Sequence, residues 1–180
     1  SFLAFEMSGF LAASEYGQNE IIEKFIQSKG FDANISDEFG QTALIKASIT
    51  GHLDTVRLLL TVKDINVNSF EYLGRTALMI ASMNGFLGIV ESLLKVDGID
   101  VNAAESNGCT ALMFASENGH LAVVEALLNF DGIKINLFDK WGRTALIRAI
   151  VSFNYGSFLP QPASFQIVEA LLKVDEMDVN

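Results

Sequence analysis

The sequence predicts an all-α repeat solenoid: about five stacked helix–turn–helix units with short β-turn fingers. Three observations predict it. Gly40, Gly74, Gly108 and Gly142 stand at a constant interval of 34 residues, and each opens the phrase Gly-x-Thr-Ala-Leu. A fixed period of that size marks small units that bury their apolar faces against neighbours, not one closed core. An apolar stripe at helical spacing recurs in phase: Val56, Leu59, Leu60; Val90, Leu93, Leu94; Val124, Leu127, Leu128; Val168, Leu171, Leu172. A small pair, Ala47-Ser48, Ala81-Ser82 or Ala115-Ser116, precedes each of Gly51, Gly85 and Gly119. Those glycines suit the left-handed residue that ends a helix.

The units fall at about residues 1–36, 37–70, 71–104, 105–138 and 139–180. In the first, Ala13, Ser14 and Gly17 hold the slots of Ala47, Ser48 and Gly51, and Ile22, Phe25 and Ile26 supply the second-helix stripe. Its acidic turn is missing, as is usual for a terminal unit. Each later unit opens with an acidic turn residue, Asp37, Glu71, Glu105 or Asp139, ahead of its glycine. Thr110 then N-caps a first helix through its hydroxyl, and Ala111, Leu112 and Ala115 form that helix's apolar face. A second helix and a loop complete the unit. The last unit carries ten inserted residues within 151–164. Pro160 and Pro162 lie there and are expected to end helix. The insertion is aromatic (Phe153, Tyr155, Phe158), and the expectation is a longer first helix with a loop folded over the stack; a partner-contacting loop is the competing reading. The chain starts at Ser1 and stops within a repeat, so a fragment of a longer protein is expected.

Bulk properties exclude several classes. Net charge is −10, from 22 Asp and Glu against 12 Lys and Arg, which argues against nucleic acid as a partner. No apolar run is long enough for membrane insertion. The single cysteine, Cys109, excludes an internal disulfide and fits a reducing, cytoplasmic compartment. Asn34-Ile35-Ser36 is read as a chance match to a glycosylation acceptor. Phosphate-binding glycine loops, Cys-x-x-Cys and His-Glu-x-x-His are all absent. His52 and His120 share one repeated Gly-His slot, which points to a structural task. Cys109 sits in a slot that elsewhere holds Gln41, Arg75 and Arg143, and an exposed, unreactive thiol is expected. No catalytic residue, cofactor or metal is expected.

The phrases Asp/Glu-x-x-Gly-x-Thr-Ala-Leu and Ala-Ser-x-x-Gly-His, with Val-Asn closing the units (Val67-Asn68, Val101-Asn102, Ile135-Asn136, Val179-Asn180), resemble the ankyrin repeat over essentially the whole chain. Two slots depart from it. Ala43, Ala77, Ala111 and Ala145 stand where the family usually has Pro. Ile45, Met79, Met113 and Ile147 replace its usual His, and are expected to pack where that His would hydrogen-bond. The resemblance also implies that Asn34, Asn68, Asn102 and Asn136 occupy a slot hydroxylated in some ankyrin proteins; turn hydrogen bonding is the favoured role.

The resemblance further implies a non-catalytic scaffold that binds a partner protein or peptide along a concave face of turn tips and first helices. The varying residues there are the expected contacts: Phe39, Phe70, Tyr72, Leu73, Met83, Phe138, Lys140, Trp141 and Arg143. Trp and Tyr commonly dominate binding energy. Asp37 and Glu38 mark the first tip, while Lys140, Arg143 and Arg148 mark the last. A partner with a basic segment near Asp37 and Glu38 is therefore expected. The alternative reading is a recruiting module of a larger enzyme, or of an effector secreted into a host cell, with its chemistry outside this chain.

Overall fold

In this computed structural model the described residues are 2–155 and 162–178. They form five helix pairs. The first helices are α1 (Phe2–Glu15), α3 (Ala43–Thr50), α5 (Ala77–Met83), α7 (Ala111–Glu117) and α9 (Ala145–Tyr155). The second helices are α2 (Asn19–Ile26), α4 (Leu53–Leu59), α6 (Leu87–Leu94), α8 (Leu121–Leu128) and α10 (Pro162–Asp178). First helices stack on first helices and second on second, so the molecule is a two-layer array with a short finger before α3, α5, α7 and α9.

Each element has a local cause. The hydroxyls of Thr42, Thr76, Thr110 and Thr144 accept from the backbone N–H three residues on, capping α3, α5, α7 and α9. The alanines in the proline slot are the first residues of these four helices, the position where proline is tolerated best. Gly51 ends α3 with φ 79°, in the left-handed region. A side chain at Gly51 would also meet the Phe86 ring of the next unit, as one at Gly85 would meet the His120 ring and one at Gly17 the His52 ring. The Gly-His slot is thus a ring laid over the preceding unit's glycine, which fits the structural task expected of both histidines.

The core runs the length of the array between the layers. Val56, Leu59, Val90, Leu93, Val124 and Leu127 are fully buried, whereas Leu60, Leu94 and Leu128 are half-buried and Leu172 is exposed. Ile45, Met79 and Met113 are buried as expected of packed replacements; Ile147, in the same slot of the last unit, is exposed.

The insertion lies partly outside the described residues, and the expected loop with it. Its first half extends α9 to 11 residues, against 7 or 8 for α3, α5 and α7. Pro162 does not end a helix: it opens α10, where its fixed φ and missing N–H do no harm.

Candidate functional site: the finger row

Each finger is built around its acidic residue. Asp37 Oδ1 accepts from the N–H of Phe39 and Gln41, and Asp139 Oδ1 from those of Trp141 and Arg143. Glu71 and Glu105 accept from the N–H of Arg75 and Cys109. Three fingers close with an antiparallel bridge, Ser36 to Thr42, Phe70 to Thr76 and Ala104 to Thr110. Backbone bonds then join finger to finger: the N–H of Tyr72, Ser106 and Lys140 donates to the carbonyl of Phe39, Leu73 and Asn107, at 2.9, 3.1 and 2.8 Å. The tips therefore form one hydrogen-bonded row whose spacing is set by the helix stack beneath.

Behind the row, two cations clasp fingers to helices. Lys46 Nζ lies 2.9 Å from Asp37 of its own finger and 3.3 Å from Glu15 of the preceding first helix. Arg148 repeats this at the far end, pairing with Asp139 through Nε and Nη2 at 3.1 and 2.6 Å and with Glu117 through Nη1. The same slot holds Ile80 and Phe114 in the middle units. Glu71 accordingly relies on Arg75 Nε at 2.9 Å, and its buried Oε2 has no partner among the described residues. Burial pushes the Asp139 carboxyl upward, but bonds from the Arg143 N–H, the Arg148 guanidinium, the Trp141 N–H and the Arg143 side chain outweigh it and hold it well below the usual range. Asp37 is lowered in the same way by Lys46 and the finger N–H groups. Burial alone would lower Lys46; its bonds to Asp37 and Glu15 raise it instead.

Two expectations are corrected here. Arg148 is not a tip residue; it is 4% exposed and locked into the clasp. Cys109 is not an exposed thiol; it is also 4% exposed, with Sγ 2.8 Å from Arg148 Nη2. Burial first, then its bond to Glu105, pushes the thiol up to about 12. A thiol so far from ionising is a poor nucleophile.

Of the residues singled out as contacts, Phe39, Phe70, Tyr72, Leu73, Phe138, Lys140 and Trp141 are exposed, and Met83 and Arg143 are half-buried. The structure brings Phe39 and Tyr72 together, with ring centroids 6.3 Å apart. It also gathers the last tip: Lys140 Nζ lies 4.4 Å and the Arg143 guanidinium 4.6 Å from the centroid of the Trp141 ring. No ring contact among the described residues joins Phe70 or Phe138 to these tips. The clasps were missed from sequence, although a signal existed: a cation and an acid 31 residues apart occur at both ends, as Glu15 with Lys46 and Glu117 with Arg148.

Asn34, Asn68 and Asn102 bond outward rather than within their own turns. Each Nδ2 donates to a carbonyl one unit on (Asp64, Gly98, Gly132), and each Oδ1 accepts from the N–H of Asn66, Asp100 or Lys134. These side chains clip successive loops together.

A row of hydrogen-bonded fingers on stacked helix pairs defines a helical-repeat protein of the solenoid class. A family model described as ankyrin repeats (3 copies) matches residues 10–105 and again 94–180. The chain belongs to the ankyrin-repeat family. Comparison with curated proteins finds no match. Among the described residues no helix is long and apolar enough to cross a membrane, and no group of His, Cys, Asp and Glu is placed to hold a metal ion.

Proposed function

We propose that this chain is a non-catalytic scaffold that binds a partner protein or peptide along the finger tips and first helices. Ankyrin repeats are in general protein–protein interaction modules, and one observation carries the reading to this face. Among the described residues the helices expose scattered aliphatic residues and one ring, Phe165, while the fingers expose Phe39, Phe70, Tyr72, Leu73, Phe138 and Trp141 along one hydrogen-bonded row. Exposed aromatics gathered on one surface are a mark of binding sites. Met83, Lys140 and Arg143 complete the proposed contact set. The partner's basic segment belongs near Glu38, since Asp37 already holds Lys46.

The test is quantitative capture from lysate by the wild-type chain against Tyr72→Ala/Trp141→Ala. The expected result is a set of proteins retained by the first and lost by the second, with circular dichroism unchanged. Retention of the same set by both would overturn the reading.

A further inference from the structure

The finger row is not uniform along its length. Fingers one and two pool Phe39, Tyr72 and Leu73 into an exposed apolar patch. The third finger places Ser106 and Asn107 in the same two columns. The fourth returns to a large ring, Trp141, with Lys140 beside it. A polar notch one finger wide therefore separates two anchors.

The charges sort the same way. Most cations around the fingers are engaged by carboxylates: Lys46 by Asp37 and Glu15, Arg75 by Glu71, Arg143 by Asp139, and Arg148 by Asp139 and Glu117. Exposed Lys140 meets no carboxylate among the described residues; Nζ donates to the neutral amide oxygen of Asn107. At the other end of the column, exposed Glu38 meets no cation among the described residues. An uncompensated negative charge, Glu38, thus marks one end of the row and an uncompensated positive charge, Lys140, the other.

The geometry points to an extended polypeptide ligand of fixed polarity and spacing: a basic residue at Glu38, an apolar side chain on the Phe39–Tyr72–Leu73 patch, and an acidic residue at Lys140 beside Trp141. This rests on the finger face being the binding face. Packed helices lie about 8–10 Å apart, so two unit steps from Tyr72 to Lys140 span roughly 16–20 Å. An extended chain rises about 3.3 Å per residue, which puts the acidic residue about five or six positions from the apolar one. A helical ligand rises about 1.5 Å per residue and would need about eleven to thirteen. Its continuous apolar stripe would also lie over Ser106 and Asn107. Small polar residues at the notch suit the bare backbone of an extended segment.

A random 16-residue peptide library displayed on phage is selected against the wild-type chain and against Glu38→Lys/Lys140→Glu. The wild type is expected to enrich peptides with an acidic residue about five or six positions from an apolar one and a basic residue on the far side. The charge-swapped variant is expected to enrich the reverse polarity. Synthetic copies of the enriched peptides are then titrated by the fluorescence of Trp141, the only tryptophan. Lys140→Glu should weaken them about threefold, the scale of an exposed ion pair. Tyr72→Ala should weaken them at least about tenfold. Unchanged polarity on the swapped variant, a spacing near twelve, or no enrichment over bare support overturns the inference while leaving the finger face open to other ligands. Peptides that bind equally to wild type and to Tyr72→Ala/Trp141→Ala, compared by calorimetry because the variant lacks the reporter ring, overturn the finger-face reading as well.

Discussion

Asp64 is the only non-glycine among the described residues with positive φ, at 63°. Its slot holds Gly30, Gly98 and Gly132 in other units, at φ 78°, 82° and 83°. A left-handed conformation costs an L-residue about 1–2 kcal/mol, partly offset by the greater chain entropy that glycine loses on folding. Asp64→Gly should therefore stabilise the protein by about 0.5 kcal/mol and raise its urea midpoint; a lowered midpoint would contradict the strain. The small serine slot splits just as sharply. Ser48 Oγ donates to the Leu44 carbonyl at 2.8 Å, while Ser82 Oγ is buried with no partner among the described residues. Ser48→Ala should cost about 1 kcal/mol and Ser82→Ala nothing, or a slight gain. Equal losses at both sites would refute the distinction. This level was partly legible in the sequence. Slot comparison found the caps, the glycines and the varying tips. It misplaced Cys109 and Arg148, because a slot gives position along the chain and not which neighbour a long side chain reaches.

At the scale of the element, the clasp ties each terminal finger to two first helices. Removing Arg148 leaves the buried Asp139 carboxylate with Arg143 as its sole remaining cation. Arg148→Ala should cost about 3–5 kcal/mol, the usual penalty for breaking a buried ion pair, and Cys109 of the native protein should resist a thiol probe. A fast-reacting Cys109 in the folded wild type would contradict its burial. The clasps also set a pH window. Asp37, Glu105 and Asp139 titrate below their ordinary values of 3.8, 4.5 and 3.8 in the folded state. They add stability above those values and lose it as pH falls from them through the lower folded-state values. Lys46 is raised above 10.5, so its contribution holds below that value and drains above it. Cys109 is raised from 9.0 to about 12, so the unfolded thiol ionises first and stability falls as pH climbs between the two. Urea midpoints should therefore plateau from about pH 5 to 9 and fall on both sides. A maximum below pH 4 would contradict the carboxylate pairing. Helix boundaries were read well from the Thr caps and terminal glycines. The start of α10 was not, since proline breaks a helix interior yet favours its first turn.

The whole molecule follows from the period, which a single sequence displays without ambiguity: identical phrases at one interval set each unit against the next, and the helical stripes within each unit make that array a stack of helix pairs. Because each unit touches only the next, stability should be local. Leu127→Ala empties a fully buried site and should cost about 2–5 kcal/mol, whereas half-buried Leu128→Ala should cost less. Amide exchange in Leu127→Ala should rise around α8 and spare α3 and α4; a uniform rise would mean one cooperative core. The proposed contact face was legible only as a list of varying slots, because exposure, the pairing of Phe39 with Tyr72 and the two cations over Trp141 depend on how fingers hydrogen-bond to one another. The central claim is that the stack holds the fold while the tips are free to bind. Urea denaturation of the quadruple variant Phe39→Ala/Tyr72→Ala/Phe138→Ala/Trp141→Ala tests it most directly. The account predicts a total loss below about 4 kcal/mol, the sum of one exposed ring pair and two exposed cation contacts; a loss above about 10 kcal/mol, as four core aromatics would give, would contradict it.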